Sequence, residues 1–385
     1  MDIKFIFLSN GYGEDTISTY IIRELDKKLK KSGVNFEIFG FPLVNTGEKY
    51  KENNINIIGP VKTLKSAGIS GLFNFKNFIL DIKDGLFSFI LNQLNFLSNY
   101  KNKPNIYLVA VGDIYPLFLS IFKNKLSKTN VVFIPTAKSY KTEPFNLLEI
   151  YFMSLVNANF VRDELTYLKL KDKLNNVYFV GNPVLDLDYI KPNENIYLEN
   201  NIIILPGRKD SCLKNLFYFT KSINILLNKI TNENILNVLT TFSIIIPEFY
   251  PIKEINNLIE KELEKEFKQR VYILSDKYYR YVLENSYLVW GQAGSGNEQA
   301  AGYKLPVISF NENNWYRKRQ KKLLNNCLIL IEQYNIEKLV NETIILFKDK
   351  DKYKFIGLEC YKEMGPLGGA INISNYLANL VLHKN

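Results

Sequence analysis

Trp290-Gly291-Gln292-Ala293-Gly294-Ser295-Gly296-Asn297-Glu298-Gln299-Ala300-Ala301-Gly302, followed by Leu305-Pro306-Val307-Ile308, decides how this chain is read. An apolar run closes at Trp290, three glycines crowd the next few positions, and an alanine-rich stretch leads to a second apolar run. That order is strand, turn, helix, strand. Glycines let backbone approach a ligand closely, and the first amides of a helix have no intrahelical acceptor, so the turn aims N–H groups and the positive end of the helix dipole at an anion. A pyrophosphate suits it, held by Gly291, Gln292, Ala293, Gly294, Ser295, Gly296, Asn297 and Gln299. Glu298 in the first helical turn can accept ribose hydroxyls, or serve only as an acid that complements the dipole.

The same alternation extends in both directions. Downstream of residue 200, strands are expected at Ile202 to Leu205, Ile235 to Thr240, Val271 to Leu274, Tyr287 to Trp290, Val307 to Ser309 and Cys327 to Ile331. Upstream they are expected at Ile3 to Leu8, Phe36 to Phe39, Ile106 to Val111, Val131 to Ile134, Phe160 and Val177 to Val180, with a first helix carrying Ile17, Ile21, Leu25 and Leu29. Strands separated by helix-length segments make parallel sheets covered on both faces. A chain of 385 residues exceeds one core. We therefore expect an α/β protein of two doubly wound, Rossmann-like domains, 1–190 and 200–365, joined by the polar stretch 191–201. The run after Gly365-Pro366 is expected to form a helix over 370–382 that packs back on the first domain.

In open parallel sheets, ligands bind beyond the carboxyl ends of the strands, and three further loops lie there. Ser9-Asn10-Gly11-Tyr12-Gly13-Glu14-Asp15 joins the first strand to the first helix; Asn10, Gly11 and Gly13 shape an acceptor-side loop, and Glu14 can orient or deprotonate a hydroxyl. Asp15 or Thr16 can cap the helix. In Val109-Ala110-Val111-Gly112-Asp113, the acid follows a wholly apolar strand, and Asp113 serves either as an N-cap or as a general base. Leu205-Pro206-Gly207-Arg208-Lys209-Asp210-Ser211 offers Gly207 and Arg208 to a diphosphate, the guanidinium matching phosphate oxygens bidentately. A solvated basic turn would look the same.

Composition narrows the partners. The formal charge of +10 favours a polyanion, whether lipid head group, phosphorylated ligand or nucleic acid, although a Lys- and Asn-rich proteome produces the same excess. Aromatic residues fall in core patterns and are not interleaved with Arg and Lys, which argues against nucleic acid. Three scattered cysteines form no CxxC pair, and with the lone His383 near the end they suggest neither disulfides nor a metal site. Residues 1–15 lack a basic n-region and a cleavage site and read as a core strand. Asp186-Leu187-Asp188 mimics the DxD of metal-using transferases but follows Gly181-Asn182-Pro183, away from the donor loop, and is read as linker polarity.

The stretch 67–100 carries a wide apolar stripe, including Leu72, Phe73, Phe75, Phe78, Ile79, Leu86, Phe89 and Leu94, interrupted by Lys76, Asp81, Lys83, Asp84 and Gln93. It is too broken to span a bilayer. It is either an interfacial helix, with Leu72, Phe73, Phe75, Phe78 and Ile79 against lipid, or a core helix. A basic cluster, Arg317, Lys318, Arg319, Lys321 and Lys322 beside Trp315 and Tyr316, either extends a membrane-facing surface or forms a solvated helix face.

Taken in order, LSNGYGED, the VGD ending at Asp113, VGNPVLD at Val180 to Asp186, LPGRKDS at Leu205 to Ser211, GQAGSGNEQAAGYKLPVI and EMGPLGGA at Glu363 to Ala370 resemble the lipid-A-disaccharide synthase family, and most closely its related-protein group. The resemblance implies a GT-B fold whose domains face an interdomain cleft, with metal-independent, inverting transfer from a UDP-sugar such as UDP-GlcNAc and no cofactor. It implies that Asp113 is the base, that Glu14 is the acid of the amino-terminal glycine loop, and that Arg208 and the Gly294 to Gln299 stretch bind donor. A lipid or lipid-linked acceptor and a cytoplasmic position at the inner face of the cell membrane follow from the same resemblance. Asn297 and Gly296 depart from the small residues usual there. A nucleotide-sugar 2-epimerase of the same fold, or a non-catalytic membrane-surface protein, fits the same loops.

Overall fold

The computed structural model describes residues 2–64, 85–124, 130–232, 239–247, 250–312 and 315–382. The chain forms two compact units: Met1–Asp186 with Leu367–Asn385, and Leu187–Pro366. The division falls at Asp186, ahead of the polar stretch expected to link the domains.

Unit 1 holds strands β1 (Ile3–Ser9), β2 (Phe36–Pro42), β3 (Asn56–Ile57), β4 (Ile106–Gly112), β5 (Val131–Pro135), β6 (Ala158–Phe160) and β7 (Val177–Tyr178) in the order β3-β2-β1-β4-β5-β6-β7, with every pair parallel. All of β4 and β5 is buried. Those continuous apolar runs reflect a sheet covered on both faces, which leaves no solvent side for polar residues. The chain leaves β1 toward one edge and β4 toward the other, so the order reverses between them, and a crevice opens at that point beyond their carboxyl ends.

Unit 2 repeats the plan. Strands β8 (Asn201–Leu205), β9 (Phe242–Ile246), β10 (Val271–Ser275), β11 (Ser286–Gly291), β12 (Val307–Asn311) and β13 (Leu328–Glu332) form the parallel order β10-β9-β8-β11-β12-β13, reversing between β8 and β11. The strand expected at 235–240 stands instead at Phe242–Ile246, with residues 235–238 outside those described. Its core includes Trp290, which donates to Thr343 Oγ1 at 3.0 Å and lies near Phe219 and Phe242.

The first helix, Tyr12–Ser32, buries Ile17, Ile21, Leu25 and Leu29, the stripe legible in the sequence. Its cap is Gly11, with no side-chain bond; Asp15 lies inside the helix and Thr16 donates to the Tyr12 carbonyl, so neither caps. Leu72, Phe73, Phe75, Phe78 and Ile79 lie outside the described residues. Of the same stretch, helix Leu86–Ser98 buries Leu86, Phe89 and Leu97 in the core, and Gln93 turns inward to donate to the Leu43 carbonyl at 2.9 Å and to accept from Tyr115. Among the described residues no helix is long and apolar enough to cross a membrane.

The final helix, Gly369–Leu382, packs on helix Tyr12–Ser32 of unit 1, and its Leu380 carbonyl accepts from Tyr107 at 3.1 Å. Asp186 holds its start: the carboxylate accepts from the Gly368 and Ala370 amides at 2.7 and 2.6 Å. Linker polarity therefore does not describe Asp186, which supplies the charge that a helix start favours. Replacing Asp186 with Ala should cost about 1–2 kcal/mol, read as a lower urea midpoint, and an unchanged midpoint would show that these bonds add nothing net.

Candidate functional site

At the crevice of unit 1, β1 ends in Ser9 and β4 in Gly112, side by side in the sheet. Gly112 has φ +134°, and any side chain there would overlap Asn10, so only glycine lets the two loops close together. Asn10 is 8% exposed, and its Oδ1 has no hydrogen-bond partner among the described residues. Gly11, Gly13 and the first helical turn follow, and Glu14 folds back over Gly11. Burial raises the Glu14 carboxyl above the ordinary glutamate range, and the charges of Asp113 and Asp15 add to this, against hydrogen bonds from its own backbone amide and from Thr136 Oγ1 at 3.4 Å. Asp113 caps helix Ile114–Ile121, accepting from the Tyr115 amide at 2.8 Å. The capping bond and a role in chemistry are compatible, because a carboxylate has more than one lone pair to offer.

A small pocket beside Asp113 is lined by Ile114, Phe133, Pro135, Phe145, Lys138 and Glu149. Lys138 pairs with Glu149 at 2.8 Å and Glu143 at 3.1 Å. Burial alone would lower its pKa, and the two carboxylates outweigh that and raise it. Arg162 after β6 donates to the Thr136 carbonyl at 2.9 Å, which anchors the loop after β5.

Behind Glu14, Asp15 ties three segments together. It accepts from Ser9 Oγ at 2.6 Å and Asn45 Nδ2 at 2.8 Å, and Ser9 Oγ is 2.6 Å from Tyr50 Oη. This cluster fixes the exit from β1 and therefore the pose of Asn10 and Gly11.

In unit 2, the loops after β8 and β11 meet at the equivalent crevice. Gly207 has φ +87°, and a Cβ there would sit 2.7 Å from the Gln292 carbonyl oxygen. Tyr250 Oη donates to the Gly207 carbonyl at 2.7 Å, and the Gln292 amide to the Leu205 carbonyl at 2.8 Å. Arg208 is exposed, its guanidinium 5.5 Å from the centre of the Tyr316 ring. Tyr316 covers Gly294, where a methyl would overlap its hydroxyl. Burial raises the Tyr316 pKa, as does the charge of Glu298, against Arg208, Arg317 and Arg319. Helix Ser295–Gly302 is capped by Gly294 without a side-chain bond, and its internal bonding starts with Asn297 and Glu298, whose amides donate to the Gly294 carbonyl at 3.1 and 3.3 Å.

Ser295 is exposed; Glu298 and Gln299 are half-buried. Asn297 turns inward, fully buried, and donates to the Gly291 carbonyl at 3.1 Å. The departure from a small residue thus packs beneath the turn. Arg317 is also buried, at 2% exposure, and contacts Gln292, so it belongs to neither a membrane-facing surface nor a solvated face. A run of Arg and Lys hides such a residue. Helical phase was the available signal, because Arg317, Gln320 and Leu324 share one side.

No family model and no curated protein sequence matches the chain. Solved structures do. Over 100% of its length the chain is similar to 100% of UDP-GlcNAc 2-epimerase from Neisseria meningitidis, solved with UDP-GlcNAc, at TM-score 0.57 and 14% identity. It is similar over 99% to 99% of MurG from Acinetobacter baumannii, at TM-score 0.56 and 10% identity. A glycosyltransferase from Rickettsia africae matches over 100% of both chains at TM-score 0.51 and 12% identity. With the two parallel sheets, these similarities define the fold as GT-B, with two Rossmann-like units.

Asp15 makes the unit 1 crevice sensitive to pH. It is 1% exposed, and burial pushes its carboxyl up to about 6, against the bonds from Ser9 and Asn45. An acid with a folded pKa above its ordinary 3.8 keeps its proton longer when folded, so its contribution is fully present below that value and lost as pH rises through about 6. The stability difference between the wild type and Asp15→Asn should therefore shift by roughly 2 kcal/mol against the wild type from about pH 4 to pH 7. Urea titrations across that range check it, and a flat difference would refute it.

Proposed function

We propose that the chain is an inverting, metal-independent glycosyltransferase that moves a sugar from a UDP-sugar resembling UDP-GlcNAc to a lipid or lipid-linked acceptor at an anionic membrane surface. The observation that carries this reading is the raised Glu14 carboxyl beside Asp113 at the switch point of unit 1. A half-buried acid pair there suits hydroxyl activation. The amide-lined turn of unit 2, flanked by Arg208, supports the donor half.

In this reading unit 2 grips the donor. Amides of the turn at Ala293 to Gly296 and the Arg208 guanidinium take the diphosphate, Gly207 and Gln292 keep the two loops tight, and Glu298 accepts from the ribose. Glu14 orients the acceptor hydroxyl and Asp113 takes its proton. The acceptor oxygen attacks the anomeric carbon from the face opposite UDP; the bond from that carbon to the β-phosphate oxygen breaks, and its electron pair leaves with UDP. The charge that develops on the leaving diphosphate meets N–H groups already oriented toward it. The motifs that resemble the lipid-A-disaccharide synthase-related group support this choice of reaction, and MurG has a similar fold.

A second reading is a nucleotide-sugar 2-epimerase. The similarity to the Neisseria meningitidis epimerase favours it, as does an acid pair able to move a proton at carbon as well as at oxygen. Incubation of the protein with UDP-GlcNAc, with and without membrane lipid, separates the two. Transfer of labelled sugar into the lipid phase, unaffected by EDTA, is expected. Conversion of the donor with no lipid present selects the epimerase, and absence of both reactions removes the catalytic reading. Asp113→Asn should lower kcat by about 10²–10⁴-fold with UDP affinity retained, and unchanged turnover would exclude Asp113 as the base.

A further inference from the structure

The inner side of the turn after β11 is occupied by two side chains of helix Trp315–Leu324. Arg317 Nη2 donates to the Gln292 carbonyl at 3.2 Å and also to Gln292 Oε1, and Arg317 Nη1 donates to Gln320 Oε1. Gln320, 3% exposed, donates through Nε2 to the carbonyls of Ala293 and Gly294 at 3.2 and 3.0 Å. Its Oε1 also accepts from Asn297 Nδ2 at 3.2 Å. The carbonyls of three consecutive residues, Gln292, Ala293 and Gly294, are thus all drawn inward.

A trans peptide points its C=O and the following N–H in opposite directions. Three carbonyls held inward therefore turn the amides of Ala293, Gly294 and Ser295 outward, ahead of the point where helix bonding starts at Asn297. The guanidinium also sets a positive charge behind the turn, on the side away from an arriving anion.

We infer that Arg317 and Gln320 are positioning residues for a diphosphate: they touch no substrate themselves, but hold the Gln292–Gly294 carbonyls inward so that the next three amides face the ligand. The inference rests on the reading that a UDP-sugar occupies this turn. The shape of the turn is thus set by side chains of helix Trp315–Leu324, whose Tyr316, between Gly294 and Arg208, makes the outward counterpart.

The test compares UDP with uridine, which lacks the phosphates, by calorimetry on the full chain and on the Arg317→Lys and Gln320→Met variants. Arg317→Lys keeps the charge and loses the fork; Gln320→Met keeps the length and loses the N–H donors. The expected result is UDP affinity weakened about tenfold or more in each, with uridine affinity within about twofold of the wild type. Equal weakening for both ligands would reveal a general structural role and overturn the inference, as would unchanged affinity for both. If Arg317→Lys does not fold, Gln320→Met decides by the same criteria, since it removes no charge. A wild type that binds neither ligand fails the donor-site reading first and the inference with it, whereas a wild type that binds UDP and variants that bind it equally fail the inference alone.

Discussion

Between Gly291 and Ser295 the backbone has one choice to make, which is whether its amides face solvent or the protein interior, and any anion binding at this turn depends on how it is made. Bare glycines would leave the choice open, because a turn with little side-chain bulk loses much conformational freedom on being fixed. Here the choice is constrained from beneath. The Gln292 amide is spent on Leu205, Asn297 holds the Gly291 carbonyl, and Arg317 and Gln320 hold the three carbonyls after it. What remains outward is a row of donors at a helix start, and a row already oriented has no ordering cost left when an anion arrives.

Unit 1 uses the same topology for a different chemical end. Its sheet reverses between β1 and β4, and the two loops that leave there carry acids rather than an open amide row. Burial holds Glu14 toward its neutral form, and the neighbouring charge of Asp113 pushes in the same direction. Asp15, one residue on, is also raised by burial yet faces inward to Ser9 and Asn45, where it serves the loop's shape. Two adjacent acids of one helical turn thus divide between framework and crevice, and neighbouring side chains on a helix do point to different faces.

Much of this was legible from residue order, for a physical reason: strands buried on both faces must be apolar throughout, and Phe5 to Leu8, Ile106 to Val111 and Ile202 to Ile204 are. The loops bearing Glu14, Asp113, Gly207 and the 291–299 stretch accordingly fall at carboxyl ends of strands. What escaped involves partners distant in the chain. Asp186 meets Gly368 and Ala370 only once the final helix has returned to unit 1, and no local pattern announces that. The run Trp315 to Lys322 looks uniformly solvated by composition, while its helical phase turns Arg317 and Gln320 inward and leaves Trp315 outside. Of the strand expected at Ile235 to Thr240, residues 235–238 lie outside those described, and a strand stands at Phe242–Ile246, past Thr240.

The proposed role of the Ala293, Gly294, Ser295 and Gly296 amides is to receive the diphosphate of a nucleotide sugar. The most direct measurement is an NMR titration of amide-labelled protein with UDP. These four amide resonances are expected to shift together and saturate with UDP, and to respond barely to uridine. Saturable binding of UDP that leaves all four unmoved would contradict it.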